Sequence, residues 1–158
     1  MTHQEVEILL VEDNPDDLEL SLRALRAEQL GNHIQVARDG EEALDFLLCR
    51  GQFSGRSPAQ QPRLVLLDLK LPKIDGLQVL AELKRNESTR AIPVVMLTSS
   101  DLETDLIRSY QLGVNSYLQK PVDFGEFCKV VKQVGLYWLV VNKTAGSHAP
   151  LASSRGAA

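Results

Sequence analysis

The sequence predicts an α/β fold: a (βα)5, doubly wound, parallel five-stranded sheet. Three observations predict it. Short apolar runs alternate with longer amphipathic ones along the chain. Strand and helix segments can be paired five times over, which implies parallel strands joined by right-handed crossovers. The strand segments are continuous apolar runs, as strands covered on both faces should be.

Val6–Val11 (VEILLV) reads as the first strand. Asn14-Pro15-Asp16-Asp17 opens the first helix: Asn14 caps it, Pro15 suits its first turn, and the acids favour its positive end. Leu18, Leu22, Leu25 and Leu30 mark its inner stripe, and Gly31 ends it. His33–Ala37 is a second short strand. Asp39-Gly40-Glu41-Glu42 has the form of a capping box, with Ala43, Leu44, Leu47 and Leu48 facing inward. Gln52–Pro62 (QFSGRSPAQQP) is polar and rich in turn formers, hence a loop. Leu64–Leu67 is a third strand, ending at Asp68. The third helix carries Leu77, Leu80 and Ala81 inward, with Leu83 at the stripe's edge. Ile92–Leu97 is a fourth strand, stopping at Thr98. Ser100–Glu103 opens a fourth helix that Gly113 ends. Asn115–Gln119 is the fifth strand, and Asp123–Glu126 caps a fifth helix running to about Val141.

At 158 residues the chain has room for one domain with a sizeable core and not for two. That domain is expected over 1–141. The remainder, 142–158, is rich in small and polar residues and is expected to form a flexible tail. The net charge of −4 offers no electrostatic case for nucleic acid or an anionic membrane as partner. No stretch approaches a membrane span, and no cationic segment precedes the first apolar run, so a cytoplasmic protein is expected. Cys49 and Cys128 fit neither a disulfide framework nor a metal-knuckle spacing; two buried thiols are expected.

In an open α/β sheet, ligands collect beyond the carboxyl ends of the strands. Those ends carry Glu12 and Asp13, then Asp68, then Thr98, then Lys120. Three converging carboxylates would repel and raise one another's pKa. A divalent cation removes that conflict. Mg2+ is the natural choice beside phosphate, with Mn2+ as a substitute. Asp13 and Asp68 are the expected direct ligands, with Glu12 reaching the metal through water. Taken singly, each of these residues has an ordinary explanation as helix cap, turn former or strand-end hydroxyl. The constellation carries the argument.

The chain resembles the receiver domain of two-component response regulators from about Ile8 to Val134. The residues that carry the resemblance are Val11-Glu12-Asp13-Asn14, Leu67-Asp68-Leu69-Lys70-Leu71-Pro72 with Gly76, Leu97-Thr98-Ser99-Ser100, and Tyr117-Leu118-Gln119-Lys120-Pro121. The resemblance implies a 2-1-3-4-5 sheet of flavodoxin-like topology, a bound Mg2+ and a cis bond between Lys120 and Pro121. It implies phosphorylation of Asp68 by a sensor histidine kinase. It implies a switch pair in Thr98 and Tyr117, a phosphate-binding Lys120, and the Lys70 carbonyl as a metal ligand. It also implies that Lys70 and Ser100 line the route of the attacking water and tune phosphoryl lifetime. The acid pair is Glu-Asp where many relatives have Asp-Asp; a longer Glu12 should still reach a metal-bound water.

Rival functions fit these residues less well. An aspartyl phosphatase needs a second Asp two positions after the nucleophile, where Lys70 stands. A flavin domain needs a phosphate loop after the first strand, where acids stand instead. A DNA-binding regulator needs a helix-turn-helix after Val141. A scaffold without phosphorylation would not need the full set from Asp13 to Lys120.

The last helix holds more apolar residues than one core-facing stripe requires. At about 19 residues it would span roughly 28 Å. Phe127, Val134, Tyr137 and Trp138 are therefore candidates for a homodimer surface. Tyr137-Trp138 and the long loop Gln52–Pro62 resemble a narrower group, the single-domain regulators that partner phytochrome-type kinases. A bacteriophytochrome-type kinase is the partner that this implies.

Overall fold

The computed structural model describes residues 6–26, 33–98, 111 and 113–136. The elements are β1 (Ile8–Val11), α1 (Pro15–Arg26), β2 (Ile34–Ala37), α2 (Gly40–Leu47), a 3-10 turn (Gly51–Phe53), β3 (Leu64–Asp68), α3 (Gly76–Arg85), β4 (Val94–Thr98), β5 (Ser116–Gln119) and α4 (Phe124–Gln133). The five strands form one sheet in the order β2-β1-β3-β4-β5. Every pair is parallel. The predicted fold class and strand order are those observed.

Every residue of β1, β3 and β4 is buried. The pleat divides these runs between two cores. Leu9, Val11, Val65, Leu67, Val94 and Met96 face α2 and α3, meeting Ala43, Leu44, Phe46 and Leu47, then Leu77, Leu80 and Leu83. Ile8, Leu10, Leu64, Leu66, Val95 and Leu97 face the other way, onto Leu18 and Leu25 of α1 and Phe127, Val130 and Val131 of α4. Burying each of these large side chains contributes about 1.5–3 kcal/mol.

The helix starts follow the sequence closely. Asn14 Oδ1 accepts from the backbone N–H groups of both Asp16 and Asp17 at 2.9 Å. Asp39 Oδ1 accepts from Glu42 N at 2.7 Å, but the return bond is displaced by one residue: Glu42 Oε1 accepts from Arg38 N at 3.0 Å. Asp75 and Gln78 form a full capping box on α3. Asp123 caps α4.

Four expectations need correction. First, the last helix stops at Gln133, not near Val141. Gly135 takes φ 83°, and the N–H groups of Leu136 and Gly135 turn back to the carbonyls of Val131 and Lys132, at 2.7 and 3.1 Å. This is a glycine-terminated Schellman motif, and the apolar residues around Gly135 hid it. Second, on α3 it is Leu83 that is fully buried and Ala81 that sits at the edge. The inner stripe runs Gly76, Leu80, Leu83, with Leu77 and Val79 on its flanks. Third, Phe127 is wholly buried against the sheet, so its side chain cannot meet a second copy. Fourth, Cys49 and Cys128 are half-buried rather than buried, and no disulfide joins them.

The polar loop after α2 has an anchor that the sequence did not reveal. The Arg56 guanidinium lies over the Phe46 ring, 3.6 Å from its centroid. It donates to the carbonyls of Phe46 and Gln60. The expected fourth helix from Ser100, the residues Leu30, Gly31, Ser99, Ser100, Tyr137 and Trp138, and the segment 142–158 lie outside the described residues.

Candidate functional site

Register brings the site together. Val11 is paired with Leu67, so Glu12 and Asp68 emerge side by side at the carboxyl ends of β1 and β3. Asp68 pairs with Leu97 and Thr98 with Gln119, which sets Thr98 and Lys120 next in line. The strand order reverses between β1 and β3, so this is the topological switch point of the sheet. Glu12, Asp68 and Thr98 are buried, and Asp13 is exposed. A cleft of about 240 Å³ opens here, with Asp13, Asp17, Asp68, Lys70, Thr98 and Lys120 among its walls.

Lys120 reaches into this cleft from the residue after β5, ahead of a cis bond to Pro121. Its Nζ lies 3.1 Å from Asp68 Oδ2 and 3.3 Å from Glu12 Oε1. It also lies 3.0 Å from Asp17 Oδ2, a contact absent from the sequence reading. In the sequence Asp17 reads only as an acid that favours the positive end of α1. No local signal marks it as a partner of Lys120, which lies more than a hundred residues further along the chain.

The charges are strongly perturbed. Burial pushes the Glu12 carboxyl up, and a hydrogen bond to Asp68 and the Asp68 charge push it further, to about 8. Burial alone would lower the Lys120 pKa; Asp17, Asp68 and Glu12 outweigh that effect and raise it. Three carboxyl groups, of Glu12, Asp17 and Asp68, thus meet one ammonium with Asp13 close by, leaving net negative charge in a confined space. Glu12, Asp13 and Asp68 each offer an oxygen, all within 4.8 Å of one another. Such a set of hard oxygen donors suits a divalent cation of the Mg2+ type, which would also relieve the strain on Glu12.

The loop between β3 and α3 is tightly seated. Lys70 N donates to Asp68 Oδ1 at 3.2 Å. Gly76 N donates to the Leu69 carbonyl at 3.0 Å. A Cβ on Gly76 would come within 2.2 Å of the Asp68 carbonyl oxygen, and one on Gly40 within 2.0 Å of the Ile74 carbonyl oxygen. Lys73, with φ 66°, holds Asp39 at 3.4 Å and Glu41 at 3.6 Å from its ammonium. The loop is thereby clasped to the start of α2. Tyr117 is half-buried on β5, packed against the core under α2 and α3. Val134 is half-buried at the end of α4. A larger hollow of about 1270 Å³ lies at the opposite end of the sheet, under the loop after α2, with no carboxylate in its walls.

The family model for the response regulator receiver domain matches residues 8–132. The chain belongs to that family. It is therefore a receiver-domain response regulator of a two-component system. Over 139 residues it is 47% identical to a probable methanogenesis regulatory protein, FilR2, of Methanothrix harundinacea, covering 88% of this chain and 87% of that protein. Over 132 residues it is 43% identical to the response regulator Rcp1 of Synechocystis sp., covering 84% and 88%. Among solved structures, the bacteriophytochrome response regulator AtBRR matches with TM-score 0.77 at 55% identity, covering 86% of this chain and 96% of that one. The Mn2+-bound form of Rcp1 matches with TM-score 0.68 at 41% identity, covering 85% and 94%. The phosphorylated cyanobacterial phytochrome response regulator RcpA matches with TM-score 0.70 at 39% identity, covering 87% and 96%.

If the acidic cluster of this receiver holds a cation, Mg2+ at about ten times its dissociation constant should stabilise the fold by about 1.4 kcal/mol. Thermal unfolding with and without Mg2+ measures this as a rise of several degrees. Asp13→Asn, a change at an exposed loop residue, should remove most of the rise. An equal rise in both proteins would place the cation elsewhere.

Proposed function

We propose that Asp68 accepts a phosphoryl group from the phosphohistidine of a sensor histidine kinase. The observation that carries this is the Lys120 ammonium 3.1 Å from Asp68 Oδ2, in an open cleft beside the Glu12–Asp13 pair. A divalent cation, Mg2+ or Mn2+, fits Asp13, Asp68 and the Lys70 carbonyl as direct ligands, with Glu12 acting through water. When bound, it supplies charge neutralisation on the phosphoryl oxygens. The Mn2+-bound Rcp1 structure supports this assignment.

An Asp68 carboxylate oxygen attacks phosphorus. The P–O bond forms as the P–N bond breaks, and the electron pair of that bond returns to the imidazole nitrogen. The product is an acyl phosphate. Lys120 meets the developing charge on the transferred oxygens. The modification adds about two negative charges and strong acceptors. The Thr98 hydroxyl then donates to the phosphoryl group and draws the end of β4 inward, which makes room for Tyr117. The surface around β5 changes as a two-state population shift. The phosphorylated RcpA structure supports the modification, and the bacteriophytochrome regulators support a phytochrome-type kinase as donor.

The receiver unit is assigned to 1–141, followed by the segment 142–158, in a cytoplasmic protein. Among the described residues no helix is long and apolar enough to cross a membrane. A second copy is the proposed partner of the C-terminal region, through Val134, Tyr137 and Trp138.

Intact mass after acetyl phosphate and Mg2+ tests the acceptor: wild type should gain one phosphate and Asp68→Asn none. No adduct on either protein sinks the assignment. Transfer from a phytochrome-type kinase should outpace transfer from an unrelated kinase, and equal rates remove that partner. Lys70 lines the cleft beside Asp68 and is exposed, placed to restrict the water that attacks the acyl phosphate. Lys70→Ala should then shorten the adduct's half-life about two- to threefold, the scale of one exposed charge contact; an unchanged half-life rules this out. For the pair of copies, light scattering at tens of micromolar should give a dimer mass, and a monomer with and without beryllofluoride would refute it.

A further inference from the structure

The Lys120 ammonium has three N–H donors and no acceptor. Three carboxylates face it: Asp17 at 3.0 Å, Asp68 at 3.1 Å and Glu12 at 3.3 Å. A phosphoryl oxygen arriving at Lys120 must therefore displace one of them. The three are not equivalent. Glu12 is fully buried at the end of the sheet, so no water can take the place of the ammonium against its oxygens. Asp68 cannot leave, because it carries the incoming group. The Asp17 side chain keeps 31% of its surface exposed. It stands on the first turn of α1, at the wall of the cleft, where water can replace the ammonium.

We infer that Asp17 is a positioning residue, which holds Lys120 on the α1 side of the cleft and is the partner Lys120 leaves when a phosphoryl group reaches Asp68. This rests on the acceptor role proposed for Asp68. The contact belongs to the unmodified protein, so it deepens the starting state and slows uptake. Once Asp68 is phosphorylated, Lys120 is already on the phosphoryl oxygens, and Asp17 no longer bears on hydrolysis. Asp17 sets the rate of uptake and not the rate of loss. A contact with one partly exposed partner changes a rate by about two- to fivefold.

The test compares Asp17→Asn, Asp17→Glu and Asp16→Asn in the full chain. Asp16 lies on the same turn of α1, is exposed, and is not one of the three carboxylates that face Lys120, so it controls for the loss of one negative charge near an anionic donor. Time-resolved intact mass with acetyl phosphate gives uptake, and removal of the donor gives loss. Asp17→Asn should speed uptake about two- to fivefold with loss unchanged, and Asp17→Glu should stay near wild type. Independently of phosphorylation, nitrogen NMR of the lysine ammonium groups in chelator should show the Lys120 signal moved by Asp17→Asn and not by Asp16→Asn. The inference is overturned by uptake equal to wild type, by Asp16→Asn matching Asp17→Asn, or by uptake and loss changing together. A wild type that gains no phosphate overturns the acceptor role itself, whereas a normal wild type with an unaltered Asp17→Asn overturns only the part given to Asp17.

Discussion

Lys120 brings one positive charge into a cleft walled by Asp13, Asp17 and Asp68, with Glu12 buried beside it, and much of the remaining structure can be understood as arranging that meeting. The carboxylates come from β1, β3 and α1, and the ammonium from beyond β5. None is near Lys120 in sequence. Only a sheet in the order β2-β1-β3-β4-β5 sets the ends of β1 and β3 together with β5 two strands away. The distance from β5 back to β3 is one that a lysine side chain can bridge. A shorter side chain would leave the buried Glu12 without the ammonium that donates to both of its oxygens.

The two cores fix the backbone on which this balance rests. β1, β3 and β4 are sealed on both faces, so strand register cannot slip without moving apolar side chains out of contact. Register is what keeps Glu12 beside Asp68. The polar cluster is in this sense held by the hydrophobic layers below it, which tolerate a repulsive group of acids at the strand ends because the acids occupy a small part of the sheet.

The central strands, the caps at Asn14, Asp39 and Asp123, and the cluster of Glu12, Asp13, Asp68, Thr98 and Lys120 were legible in the sequence, because apolar runs, local hydrogen bonding and strand-end placement are local signals with a known geometry. What escaped depended on contacts made only after folding. The end of α4 was misread because Gly135 sits within an apolar stretch, and the apolar surplus counted on an overlong helix then placed Phe127 on a surface when it is core. Asp17 looked complete as a helix-start acid, and nothing local says that Lys120, more than a hundred residues away, comes to it. The anchor of Arg56 on Phe46 is likewise a tertiary contact within a segment whose composition signals only a loop.

The close approach of Gly40 to the Ile74 carbonyl has a consequence for how a signal could leave the cleft. There is no side chain between these two backbones to act as a cushion. The start of α2, the loop after Asp68 and the start of α3 are therefore mechanically one piece, stiffened further by Lys73 against Asp39 and Glu41. A rearrangement driven by added charge at Asp68 meets a fixed abutment on that side. On the proposed role of Asp68, the asymmetry of these backbone contacts would give the response a direction, away from α2 and α3, before any partner is present.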